Sequence, residues 1–210
     1  IRPDCVILSH WDLDHIIGCA YAEQALFSVK WIVPAFLHSK PLINQSRLAN
    51  YLDHLGNLIF VDRNQNTNPI ATIHCQRDVK ITLWLGNGKD SKITLENKTG
   101  LFLNIEGGRY SHVLLAGDVP YRCMGALLGQ NKVVQFMHVP HHGSSMGYQP
   151  LTKFPQTRQN GGICAVISTN RDVKKGILNI NCDHEKVLKT KFNDVFTTLE
   201  HIPLDDEANL

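Results

Sequence analysis

Short apolar runs recur along the chain, and the character of what separates them changes twice. Cys5-Val6-Ile7-Leu8 has the length of a buried strand. The stretch 16–28 is rich in helix formers, with Ile17, Ala20, Tyr21, Ala25 and Leu26 on one face, and predicts a helix. Val29 to Val33 returns to a strand pattern and stops at Pro34. Ser46 to Leu55 then sets Leu48, Tyr51, Leu52 and Leu55 at helical spacing before Gly56, and Leu58 to Val61 predicts the next strand. Strand alternating with helix argues for α/β layering, with at least part of the sheet parallel.

The middle is different. After a polar stretch over 62–69, strand-like runs follow one another at 70–74, 79–85, 92–95, 100–105 and 111–116, with turn signals at Gly86-Asn87-Gly88 and Gly107-Gly108. This block predicts an antiparallel meander. Pro120 opens an expected short helix over 119–129. Strands are expected at 133–139, 163–168 and 195–199, with a helix over 184–192 for which Asp183 is the capping candidate. No repeat or low-complexity segment interrupts the pattern, and 210 residues suit one domain spanning 1–210.

Composition narrows this little. A net charge of +2, with neither a basic tail nor an acidic block, points to no nucleic-acid or membrane partner by itself. No stretch is long and apolar enough to span a bilayer, and the start has no signal-peptide pattern. The six cysteines form no CxxC pair and read as reduced core or near-core residues; with the missing signal peptide they favour the cytoplasm. The opening at Ile1, without Met and only a few residues before a strand, is read as that of a piece of a longer chain.

The chemistry concentrates at strand ends. His10, Asp12, Asp14 and His15 fall within six positions after the first strand, where a strand breaking into a tight turn aims them into one small volume. Asp118 follows the strand Ser111 to Ala116; His141 and His142 follow another strand, between Pro140 and Gly143; Asp183 and His184 open the last helix. Strand ends on one rim of a sheet converge in space, so these four clusters predict one assembled metal site. His38, His54, His74, His112, His138 and His201 lack such settings and are given no role.

With its strand plus SHWDLDHIIG at 9–18, LLAGD at 114–118 and VPHHGSS at 139–145, the chain resembles the metallo-β-lactamase superfamily. Within it, the HHGS string and the Asp12 variant of the HxHxDH motif resemble the hydrolase-like domain of the ComEC DNA-uptake proteins. The resemblance implies an αββα four-layer sandwich, an α+β fold lacking its N-terminal strands. It also implies two divalent ions, zinc or manganese, with His10 and Asp12 on one, Asp14 and His15 on the other and Asp118 bridging. His141 or His184 would complete the coordination. The superfamily's middle histidine falls on Asn97, a poorer ligand.

Such a site holds two ions about 3.5 to 4 Å apart and lowers the pKa of a shared water, so the implied activity is metal-dependent hydrolysis. Catalysis would fall to Asp14 and to His142, the latter stabilising charge or protonating the leaving group. The resemblance makes DNA or another phosphodiester the expected substrate. A small ester, lactone or amide is the enzymatic alternative, and a binding or regulatory module with a degraded site is the non-enzymatic one.

Overall fold

The structure is a computed structural model that describes residues 3–35, 43–62, 69–87, 95–107, 112–128, 133–144, 154–157, 161–168, 171–172, 177–178 and 180–198. Its first unit is a three-stranded parallel sheet in the order β1 (Cys5–Ile7), β2 (Lys30–Pro34), β3 (Leu58–Val61). The helix that joins β2 to β3, α3 (Ile43–His54), begins earlier than its apolar spacing predicts.

The single helix expected over 16–28 is instead three short pieces: α1 (Leu13–Ile16), a 3-10 turn (Ile17–Tyr21) and α2 (Gln24–Phe27). Ala22 and Glu23 adopt extended backbone between the last two. Tertiary partners also claim the carbonyls at the end of α2, with Trp31 Nε1 donating to Leu26 O and Asn57 Nδ2 to Phe27 O, each at 2.8 Å. The apolar face divides accordingly: Leu26 and Phe27 pack inward, whereas Ile17 and Tyr21 are exposed.

The second unit is a seven-stranded mixed sheet. Its antiparallel half is the expected meander, β4 (Ala71–His74), β5 (Lys80–Leu85), β6 (Leu101–Glu106) and β7 (Val113–Leu115). Its other half, β8 (Phe136–His138), β9 (Gly162–Ile167) and β12 (Phe192–Thr197), runs parallel and extends the order to β4-β5-β6-β7-β8-β9-β12. The strands β10 (Arg171–Asp172) and β11 (Ile177–Leu178) make a separate two-stranded pair.

Several boundaries differ from the sequence pattern. Leu95, expected to end a strand over 92–95, begins the one-turn helix α4 (Leu95–Lys98), and 92–94 lie outside the described residues. The helix expected over 119–129 is a 3-10 turn (Tyr121–Cys123) followed by α5 (Gly125–Leu128). The last helix, α6 (Cys182–Lys191), is capped by Asn181, whose side chain accepts from the His184 amide at 2.9 Å; Asp183 therefore lies inside the first turn.

Alternation along the strands explains the layering. Ile7 and Ile32 face Leu83, Leu85, Leu101 and Leu103, closing an apolar layer between the two sheets. Val6, Trp31 and Val33 point the other way, onto Ala49 and Leu52 of α3. On the far side of the large sheet Trp84, Phe102, Leu114, Met137 and Ala165 pack with Leu127 of α5 and Leu188 of α6. Helices thus cover the outer faces of two packed sheets, a mixed α/β architecture. The cysteines divide: Cys123 is buried, Cys5, Cys19 and Cys164 are half-buried, and Cys75 and Cys182, contrary to the core reading, are exposed.

Candidate metal centre

The site forms where β1 leaves its sheet. Leu8 N still bonds Ile32 O at 3.0 Å, and the next carbonyl, Ser9 O, accepts from Leu101 N of the other sheet at 2.7 Å. The chain is then turned by Asp12 O, which accepts from the His15 and Ile16 amides at 3.0 and 3.3 Å. Trp11 anchors the turn: its indole N–H donates to Pro34 O at 2.7 Å, and its carbonyl accepts from Gln45 Nε2 of α3 at 2.9 Å.

Asp118 approaches from the large sheet through a tight turn closed by Val119 N to Ala116 O at 3.1 Å. Gly117 makes this approach possible. Its φ is +53°, and a Cβ there would meet Ser9 Cβ at 2.8 Å, so the two ligand-bearing turns touch only because no side chain stands between them.

Three donor groups converge as a result. A nitrogen of His10, a nitrogen of His15 and an oxygen of Asp118 lie within 4.8 Å of one another. His10 Nε2 stands 3.5 Å from Asp118 Oδ2, and His15 Nε2 stands 3.4 Å from Asp118 Oδ1. Behind them Ser9 Oγ contacts His10 Nδ1 at 3.0 Å and His15 Nδ1 at 3.2 Å. A hydroxyl oxygen can accept from both Nδ1–H groups, which leaves the two Nε2 lone pairs directed toward Asp118. The sequence pattern gave Ser9 no role, because its contribution is visible only once His10 and His15 share a side.

Asp12 joins the rim, with Oδ2 at 3.4 Å from His10 Nε2 and about half of its side chain in solvent at 44%. His10 beside it holds its carboxyl below the ordinary carboxylate value. For Asp118 burial pushes the carboxyl up, but His15, His10 and His141 outweigh it and bring it down to about 2. The side chain of Asp14 lies outside the described residues.

The histidine pair divides its tasks. His141 Nδ1 faces Asp118 Oδ2 at 3.4 Å and meets Asn97 Nδ2 at 2.8 Å; His142 Nε2 is farther from Asp118, at 4.0 Å. Both residues have left-handed backbone, with φ of +46° and +53°. Such conformations cost a non-glycine residue about 1–2 kcal/mol each, and the surrounding bonds supply that constraint. Burial lowers His141's affinity for a proton, opposed by Asp118. Asn97, 2% exposed, is thus brought into the site, though against His141.

His184 is placed one step behind. It is fully buried, its Nε2 meets Tyr121 Oη at 2.9 Å and its Nδ1 meets Ser144 O at 3.3 Å. His138, given no role from the sequence, sits half-buried on β8 within the field of Asp118, although burial lowers it on balance. His38 and His201 lie outside the described residues.

The fold and the site together define a two-sheet α/β protein with a histidine and carboxylate cluster at the junction of its sheets. No protein-family profile matches the chain, and no curated protein matches it. Among solved structures it is similar to CmlA, a diiron beta-hydroxylase from Streptomyces venezuelae, at 12% identity and a TM-score of 0.44, over 93% of this chain and 36% of that chain. This chain therefore spans little more than a third of the length of that protein. No helix among the described residues is long and apolar enough to cross a membrane.

Proposed function

We propose that the chain is a metal-dependent hydrolase of the metallo-β-lactamase fold. The observation that carries this reading is the trio of buried His10, half-buried His15 and buried Asp118, with donor atoms within 4.8 Å of one another. The trio fits a divalent cation on its own chemistry: His10 is 1% exposed, and its Nε2 has no hydrogen-bond partner among the described residues although two carboxylates stand nearby. Leaving a buried ring nitrogen so placed costs about 1–3 kcal/mol unless something else engages it. Imidazole with carboxylate suits zinc and manganese alike.

His10 Nε2, His15 Nε2 and Asp118 would hold the first ion, with His141 Nδ1 beside them. By the resemblance, Asp12 and Asp14 would be donors for a second. A divalent ion there supplies a Lewis acid and a water acidified toward neutrality. The protein's own groups supply the rest. Ser9 fixes the ring orientations of His10 and His15, and Asp118 offers an oxygen toward each. His142 Nδ1 meets Ser168 O at 2.8 Å, and a carbonyl only accepts, so Nδ1 carries the proton and Nε2 faces the cluster. A second proton taken up at Nε2 can be passed to a leaving oxygen.

A phosphodiester in nucleic acid is the proposed substrate, on the strength of the HHGS string at 141–144 and its resemblance to the ComEC-like branch. The test pairs binding with turnover. Metal-stripped protein titrated with Mn²⁺ or Zn²⁺ should bind close to stoichiometrically, and labelled single-stranded DNA should be cleaved by the loaded wild type. Asp118→Asn should lower turnover by about 100-fold or more. Absence of binding by either ion refutes the metal reading, and binding without cleavage refutes the nuclease reading alone.

A further inference from the structure

From the buried contact between Tyr121 and His184 we infer that His184 is a positioning residue rather than a metal ligand, and that with Tyr121 it locks the turn presenting His141 and His142. The inference rests on the metal-site reading only for its consequence, since the lock itself is stated in hydrogen bonds.

Protonation follows from the partners. Ser144 O can only accept, so the ring nitrogen facing it at 3.3 Å, Nδ1, carries the proton. In neutral imidazole Nε2 is then a lone pair, and the phenol of Tyr121, 2.9 Å away, donates to it. Both side chains are fully buried, and the tyrosine ring meets the imidazole edge-on at 86°. A cation could reach Nε2 only by displacing the Tyr121 hydrogen, and Nδ1 only by removing its proton. His141 differs in its surroundings: its Nδ1, 2.8 Å from the Asn97 amide nitrogen, also stands 3.4 Å from Asp118 Oδ2 and so lies at the edge of the cluster.

The lock acts on a backbone that needs one. His141 and His142 are consecutive left-handed residues, a conformation that relaxes unless it is held from outside. It is held from several sides. His141 N donates to Gly117 O at 3.1 Å, Ser144 N to His141 O at 2.9 Å, and Asn181 N to Gly143 O at 3.0 Å. Gly143, with φ of +73°, sits so close to Ile167 and Ile180 that an added Cβ would stand 3.2 Å from each. His184 secures the exit at Ser144 O, while Asn181, capping the same helix, fastens the His184 amide. Tyr121 comes from the segment just after Asp118, so one pair of side chains ties the Asp118 turn, the histidine turn and the start of α6 together.

The lock predicts a pattern of substitutions that a ligand would not produce. Tyr121→Phe keeps the ring and every candidate ligand yet removes the donor. His184→Asn places an amide N–H where Nδ1–H was, whereas His184→Ala does not. Three readouts apply: ion stoichiometry and affinity by calorimetry with Mn²⁺ or Zn²⁺, amide hydrogen exchange at Gly143 and Ser144, and imidazole nitrogen chemical shifts during Zn²⁺ titration. Expected is unchanged stoichiometry in all three variants. Tyr121→Phe and His184→Ala should each weaken binding by about 10-fold to 100-fold without adding to one another, and His184→Asn should recover part of the loss. The amides of Gly143 and Ser144 should exchange faster in the two damaging variants. His184 should remain the Nδ1–H tautomer throughout the titration, while the nitrogens of His10, His15 and His141 shift.

Movement of His184 Nε2 to a metal-bound shift, or loss of one ion in His184→Asn with both kept in Tyr121→Phe, would overturn the inference. A wild type that binds no ion would defeat the metal reading, but the tautomer and the exchange rates would still decide the lock. Unchanged exchange in Tyr121→Phe would overturn it independently.

Discussion

At the scale of single residues, the centre depends on side chains that are absent as much as on those present. Gly117 lets the Asp118 turn touch Ser9, and an alanine there meets two penalties at once: a left-handed backbone, worth about 1–2 kcal/mol, and a Cβ pressed against Ser9. Gly117→Ala should therefore lower the urea midpoint and weaken metal binding together, whereas a wild-type midpoint would show that the turns tolerate separation. Ser9→Ala makes a subtler test. It removes the acceptor shared by His10 and His15 without touching a ligand, so affinity for Mn²⁺ or Zn²⁺ should fall by about 10-fold while the ion count stays the same.

Among the elements, the tight β4-β5 connection carries avoidable strain. Arg77 and Asp78 have φ of +59° and +58°, the conformation of a type I′ turn, which favours Asn followed by Gly. The double substitution Arg77→Asn with Asp78→Gly should stabilise the protein by about 1–2 kcal/mol in urea denaturation and leave metal binding unchanged. Neither residue signals this turn, so the pattern located the two strands but not the connection. The same limit explains the region 16–28, where apolar spacing predicted one helix and the carbonyls of Leu26 and Phe27 are claimed by Trp31 and Asn57. Asn57 lies 30 positions from Phe27, and periodicity alone does not report where the backbone turns extended at Ala22 and Glu23. By contrast, His10, His15, Asp118 and His141 were legible as neighbours because each sits at a strand end, and sheets bring strand ends together. His184 was legible as a residue of the last helix's first turn, whereas its contact with Tyr121, 63 positions away, was not.

Across the whole molecule, burial sets how the histidines and carboxylates take up protons. Burial holds His138, His141 and His184 below their ordinary value of 6.5. The unfolded chain therefore takes up protons first as pH falls through that value, and folded stability declines until the buried rings protonate as well. Asp118 works in a lower window: held at about 2, its contribution persists until pH falls below 3.8 and is lost toward about 2. Chelator-treated protein should accordingly show a lower urea midpoint at pH about 5 than at about 7.5; equal midpoints would mean that these histidines carry no burial penalty. The junction of the sheets would also give a bound metal a mechanical part. His10 and His15 arrive from one sheet and Asp118 from the other, with about a hundred residues of chain between them. An ion gripped by all three closes that long loop like a buckle, so the melting temperature should climb with the logarithm of ion concentration, and a chelator should act as a denaturant of the whole sandwich.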